Sequence, residues 1–300
     1  DGDSRRGLSS STMTLTHDID QAAGLRRLFA RRRTAAPVVA FVAGDESCGG
    51  TLLLTHTAAA LADGGARVLL IDECQGADGV HAGLGIAPRG DLLDALTRDT
   101  ASAVASDAVL DAAVQAATPG LNVLAAARLA STRRDLDAAL EQRLTALLQG
   151  LRERHDVVLI NAAVARAPTF SPLTLLASHL VMVVAAQGAA ITRAYALLKQ
   201  LCPARGDEGT HIGPHIAAHV AVTRAHTEAA AQAVFRNLAT TATTHLGLTL
   251  DYLGGVHAPV TGYFAEALRG RLGLSSVSAM CGHSPHALAA TMVDARGYDA

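Results

Sequence analysis

Residues 41–80 read FVAGDESCGGTLLLTHTAAALADGGARVLLIDECQGADGV, and this stretch decides the fold. It opens on the end of a short apolar run, Val38–Ala43, which reads as a strand. A glycine-containing loop follows, from Gly44 to Gly50. Thr51–Asp63 has helical character, and Gly64-Gly65 stops it. Arg67–Asp72 is then a second apolar strand, closed by a carboxylate. Strand, glycine loop, helix opened by a threonine, strand ending in Asp: this is the frame of a phosphate-binding unit.

Outward from this unit, strand and helix patterns keep alternating. Helices are predicted at Asp91–Leu96 and about Asp107–Ala116. A strand follows at Leu121–Ala125, then a long helix at Asp135–Arg154. Further strands are predicted at Asp156–Asn161 and His179–Ala185, and a helix at Thr192–Leu201. A strand at His215–Val222, a helix at Thr227–His245, a strand at Thr249–Val256 and a helix at Val260–Gly270 complete the series. Short apolar strands between longer helices predict an α/β fold with a mostly parallel, doubly wound sheet. Ligands in such folds sit outside the carboxyl ends of the strands. The loops after Ala43, Asp72, Asn161 and Ala185 are therefore the informative ones.

Upstream, Asp18 and Gln21 fit the start of a helix, with Asp18 as cap and Gln21 three residues on. Ala22, Leu25, Leu28 and Phe29 follow at helical spacing. Arg26, Arg27, Arg31, Arg32 and Arg33 load its last turns with positive charge. The expected organisation is a tail and helix over 1–34, an α/β domain over 35–272 and a Ser/His/Gly-rich tail over 273–300.

The chain has 300 residues, half of them hydrophobic, with only 3% aromatics, so the core must be built from many small contacts. Net charge is −2 and the pI is near 6.7, so no global basic field draws it to nucleic acid. Four cysteines, Cys48, Cys74, Cys202 and Cys281, lack CxxC spacing, which reads as a reduced, cytoplasmic protein. No secretory signal and no transmembrane run is predicted.

The quoted stretch resembles the MinD/ParA ATPase family, whose loop reads G-K-G-G-V-G-K-T and whose second strand ends I-D-x-D. Gly44, Gly49 and Thr51 match that loop. Asp45 stands at the family's signature lysine and Gly50 at its phosphate-gripping lysine, while Glu46 and Ser47 replace two glycines. Asp72 keeps the first aspartate of the second strand, and Cys74 replaces the other. In HDVVLINAAVA, Asn161 takes the place of a magnesium-linked aspartate, and Ala165 that of a following glycine. A MinD-like P-loop NTPase fold is the expectation, with a vestigial nucleotide site at Gly44, Asp45, Gly49, Gly50, Thr51, Asp72 and Asn161. Triphosphate and Mg²⁺ need backbone N–H groups, a lysine and carboxylates on the metal. At roughly 4–6 Å and an effective dielectric of about 20, each unit charge beside the phosphates is worth ~3–4 kcal/mol, and Lys-to-Asp swings that twice. The chain is therefore expected to be a pseudo-ATPase, with no cofactor and no metal.

Three further segments resemble the FlhG/FleN/YlxH flagellar-number regulators. Asp20-Gln21-Ala22-Ala23-Gly24-Leu25-Arg26 is similar to their N-terminal D-Q-A-x-x-L-R motif. Ile191–Lys199 is similar to their I-T-D-A-Y-A-L-I-K helix start, with Arg193 in place of the aspartate. Val220–Val256 is similar to the segment that runs to their last strand, with Thr223 at the position of an asparagine near the adenine. The resemblance spans about residues 18–270. It implies that Asp20, Gln21, Ala22, Gly24, Leu25 and Arg26 form a trans-activating motif for the FlhF GTPase. Gln21 would orient the attacking water of FlhF-bound GTP, and Leu25 and Arg26 would dock the helix.

The expected protein is a nucleotide-independent regulator of flagellar number or placement. It would be a cytoplasmic monomer, held at the pole by an FlhF-type partner or basal-body proteins. Residues 275–300 hold one arginine and no strong amphipathic pattern, so membrane targeting is not expected. His211, His215 and His219 lie four apart but are broken by Gly213 and Pro214, which reads as a solvated loop rather than a metal site. Cys281, His283 and His286 read as tail residues. Cys48 and Cys74 are expected to be small fillers near the vestigial site. The alternative is an active MinD/ParA-type ATPase with an unorthodox loop, from a division, partition or cellulose-synthesis lineage, which would require ATP and Mg²⁺.

Overall fold

A computed structural model of the chain describes residues 35–45, 48–76, 79–97, 103–132, 136–163, 170–201, 216–256 and 272. The expectations at 1–34, Val260–Gly270 and 273–300 lie outside them. The α/β unit begins at Ala36.

The strands are β1 (Val38–Ala43), β2 (Val68–Asp72), β3 (Gln115–Thr118), β4 (Leu121–Ala125), β5 (Val157–Asn161), β6 (His179–Ala185), β7 (Ala217–Thr223) and β8 (Leu250–Val256). They form one sheet in the order β3-β4-β2-β5-β1-β6-β7-β8. Every neighbouring pair is parallel except β3 with β4. β1, β2 and β5 lie in the middle, and every residue of β2 and β5 is buried. Strands covered on both faces need apolar side chains at every position, which is why VVAFVA, VLLID and VVLIN read as runs rather than alternations.

The helices are α1 (Gly50–Asp63), α2 (Val80–Gly83), α3 (Leu92–Thr97), α4 (Ala103–Ala113), α5 (Ala127–Ser131), α6 (Ala138–Arg154), α7 (Pro172–Leu175), α8 (Gly188–Leu198) and α9 (Glu228–Leu246), with a 3-10 turn at Lys199–Leu201. They cover both faces, as a doubly wound sheet requires. One core gathers Val38, Ala40, Leu69, Ile71 and Ile160 with α3, α6, α8 and α9. The other gathers Val39, Phe41, Leu70 and Leu159 with Leu53, Leu54 and Leu61 of α1. Successive residues of a strand point to opposite faces, so a run such as Val38-Val39-Ala40-Phe41 feeds both cores in turn.

Three differences from the sequence reading have local causes. The helix expected to reach Ala116 ends at Ala113, and Gln115–Thr118 becomes β3. Its alanines favour helix, but antiparallel pairing with β4 across a turn at Pro119 and Gly120 overrides them. The helix after β6 begins at Gly188, not Thr192, since the chain enters it directly from Gln187. The long helix begins at Ala138, because the Asp137 carboxylate accepts the Leu140 N–H at 2.8 Å and caps it there. Short α2, α5 and α7 lack a full hydrophobic period and left no mark in the sequence.

Candidate functional site

β1, β2 and β5 end together at one crest of the sheet, with Asp72 and Asn161 opposite each other in register. The loop from Gly44 leaves β1 here. Gly44 N–H donates to Val183 O of β6 at 3.0 Å. There is little room for a side chain at Gly44, since a Cβ would lie 3.0 Å from Ala190 O.

Cys48 anchors the loop's far end. It is 1% exposed, and its thiol accepts Ala185 N–H at 3.3 Å and donates to Asp45 Oδ1 at 3.5 Å. The Thr223 hydroxyl donates to Cys48 O at 2.9 Å, tying β7 to the loop. Burial pushes the Cys48 thiol up, and the nearby Asp45 carboxylate adds to that. Such a thiol is a packed group and a poor nucleophile.

Gly49 is the residue before α1 and has φ 69°, a left-handed turn that favours glycine. Gly50 opens the helix against β1. A Cβ added at Gly50 would stand 2.9 Å from the Cβ of Ala43. The first turn of α1 therefore lies closer to β1 than any residue with a side chain at position 50 allows.

Next comes Thr51, whose hydroxyl donates to Asn161 Oδ1 at 3.3 Å, although 110 positions separate the two. Asn161 Nδ2 donates in turn to Asp72 Oδ1 at 2.9 Å. The same oxygen accepts Cys74 N–H at 3.2 Å. Asp72 Oδ2 accepts His81 N–H at 3.2 Å and His81 Nδ1–H at 3.1 Å. Asp72 is 1% exposed, and both its oxygens are taken up by donors of the chain itself. Among the described residues, the buried Nε2 of His81 has no hydrogen-bond partner.

Behind Asp72 lies Glu73, 2% exposed. Its Oε1 accepts the Ser171 hydroxyl. Its Oε2 accepts Ala163 N–H at 3.1 Å and the Thr174 hydroxyl at 3.3 Å. Ser171 also caps α7, so Glu73 joins the end of β2 to the segment after β5 and to the start of α7. Burial pushes its carboxyl up to about 7, against the three hydrogen bonds, with Asp72 adding repulsion.

No family model matches the chain, and no curated protein matches it. Solved structures do. A chain of the MinC:MinD cell division protein complex of Aquifex aeolicus aligns over 88% of this chain and 97% of that chain, with TM-score 0.52 and 17% identity. The cell division ATPase MinD of Pyrococcus furiosus aligns over 79% and 99%, with TM-score 0.51 and 15% identity. An ATP complex of a McdA variant from Cyanothece aligns over 81% and 98%, with TM-score 0.56 and 15% identity. The fold is MinD-like.

Within this MinD-like fold, the crest lies at the carboxyl ends of β1, β2 and β5. Gly44, Asp45, Gly49, Gly50, Thr51, Asp72 and Asn161 converge there from β1, α1, β2 and β5. The chain's one lysine, Lys199, lies just past the far end of α8. That helix leaves the carboxyl end of β6 and runs back across the sheet, so Lys199 sits at the edge opposite the crest. Thr223 has its hydroxyl engaged on the loop.

Asp20, Gln21, Ala22, Gly24, Leu25 and Arg26 lie outside the described residues, as do Glu46, Ser47, Ala165, His211 and His215. His219 corrects the loop reading: it is 3% exposed within β7, and its Nε2 meets His179 Nδ1 at 3.2 Å. A hydrogen bond to the next strand lets an imidazole sit in a sheet interior. Sequence reasoning missed Glu73 and His81. An acid pair, Asp72-Glu73, ending a fully apolar strand was the available signal for Glu73. His81 left none, because the short turn that carries it has no pattern.

Proposed function

We propose that this chain is a flagellar-number regulator of the FlhG/FleN/YlxH type that works as a binding protein and not as an ATPase. The observation that carries the reading is the internal use of the crest. Asp72 spends both oxygens on Asn161, Cys74 and His81. Gly50 stands where a phosphate-gripping lysine would be, in a gap too narrow for a Cβ. Asp45 adds negative charge beside the loop. A triphosphate with Mg²⁺ needs the opposite: cationic side chains, and carboxylates that face the metal. The residues present do not fit ATP·Mg²⁺, so no cofactor and no metal is assigned, and the switch is read as fixed in one state in a monomer.

The binding role rests on Asp20-Gln21-Ala22-Ala23-Gly24-Leu25-Arg26. Gln21 would enter the site of an FlhF-type GTPase and orient the attacking water, since a neutral amide both donates to and accepts from it. Leu25 and Arg26 would dock the helix. Basal-body proteins are the other partner class. The setting is cytoplasmic, with polar placement through the partner and no part for nucleic acid. Among the described residues, no helix is long and apolar enough to cross a membrane.

The test is the GTPase rate of FlhF with the full chain added. Stimulation by the wild type and its loss in Gln21→Ala is the expected pair of results. No stimulation by the wild type overturns the trans-activation.

The MinD-like fold, with Thr51 at the start of α1, favours one other reading, an ATPase with an unorthodox loop. ATP turnover that persists through purification and falls in Thr51→Ala or Asp72→Ala would establish it.

A further inference from the structure

Asn161 is the point where α1, β2 and β5 are joined. Its side chain is buried, 4% exposed. Oδ1 accepts the Thr51 hydroxyl at 3.3 Å, and Nδ2 donates to Asp72 Oδ1 at 2.9 Å. The two neighbours need different things. Thr51 presents a donor and Asp72 an acceptor, so only a group that accepts at one atom and donates at the other can bridge them. An amide does this.

A carboxylate at the same place would only accept. It would hold one of its oxygens about 3 Å from Asp72 Oδ1, with no proton between them. Two carboxylates at that distance either share one proton, so that only one is ionised, or need a cation between them.

We propose that Asn161 is an internal strut that stands in for a divalent cation. It fixes the spacing between the first turn of α1 and the end of β2 with neither metal nor nucleotide, and so holds the crest in one conformation. This strut rests on the reading that the crest takes no nucleotide, and its test contains none. Nucleotide binding would therefore sink that reading by a separate measurement.

The strut is not an isolated substitution. Gly50 lets α1 settle onto Ala43, which brings Thr51 within reach of Asn161. His81 occupies the other oxygen of Asp72. Together they leave the oxygens of Asp72 and the first turn of α1 held by groups of the chain itself.

The experiment is thermal unfolding of the full chain at mildly alkaline pH, once in EDTA and once in millimolar Mg²⁺ or Mn²⁺. The wild type is expected to unfold at the same temperature in both. Asn161→Asp is expected to lose roughly 5–10 °C in EDTA, because it buries a second unpaired charge, and to regain most of it with Mn²⁺. Asn161→Leu is expected to lose stability and regain none with metal. Should Asn161→Asp fail to fold in EDTA, it is refolded with Mn²⁺ present: recovery supports the strut, and no recovery overturns it. A wild type stabilised by Mg²⁺ overturns it, because a cation would then be completing the crest. Asn161→Asp as stable as wild type in EDTA also overturns it, because the amide would then be carrying no load.

Discussion

Gly50 and Ala43 are packed so closely that a Cβ at position 50 would lie 2.9 Å from the Cβ of Ala43. Both atoms are bonded directly to backbone, so neither can swing aside. Gly50→Lys is therefore expected to cost about 1–3 kcal/mol, as overpacking does, and not to restore nucleotide affinity. Gly50→Ala should cost a similar amount, because the conflict begins at Cβ and not at the ammonium. Urea unfolding of the two variants checks this. A stabilised Gly50→Ala, as helix propensity alone would give, contradicts the packing.

Glu73 gives the protein a pH dependence in a narrow window. Its carboxyl is raised from an ordinary 4.5 to about 7. Between those values the folded chain keeps a proton that the unfolded chain has released. Stability from this group is fully present below about pH 4.5, declines as pH rises and is gone above about pH 7, on the order of 3 kcal/mol in all. Glu73→Gln can donate to Ser171 and still accept Ala163 N–H. It should be more stable than wild type near pH 8 and lack this slope. Denaturant unfolding across the window measures it, and an unchanged slope in the variant would assign the dependence elsewhere.

Two helix starts depend on single side chains. Asp137 accepts Leu140 N–H at 2.8 Å at the start of α6, and Thr227 accepts Ala230 N–H at 3.1 Å at the start of α9. Asp137→Ala and Thr227→Ala should each cost about 1 kcal/mol. Thermal unfolding of the two single variants is the check, and no change in either would mean that water replaces the cap.

Much of this architecture was legible because its signals are local. β1, β4 and β6 fall on Val38–Ala43, Leu121–Ala125 and His179–Ala185 as the apolar runs predicted. The central strands left continuous apolar runs, VLLID and VVLIN, because every residue in them is buried. The crest was legible through Asp72 and Asn161, which end β2 and β5, and through Gly49 and Thr51 at the start of α1. What stayed hidden depends on partners far along the chain. β3 exists because β4 pairs with it, against the helix preference of its alanines. Glu73 is held by Ser171 and Thr174, 98 and 101 positions away. His81 reaches Asp72 from a four-residue helix. His219 was read with the loop before it, although the strand that buries it was predicted.

The pseudo-ATPase proposal is tested most directly by a calorimetric titration of the full chain with ATP and Mg²⁺. No saturable heat is expected at concentrations below about millimolar, equivalent to less than roughly 4 kcal/mol of binding. Saturable micromolar binding that requires Mg²⁺ and disappears in Thr51→Ala would contradict the pseudo-ATPase reading.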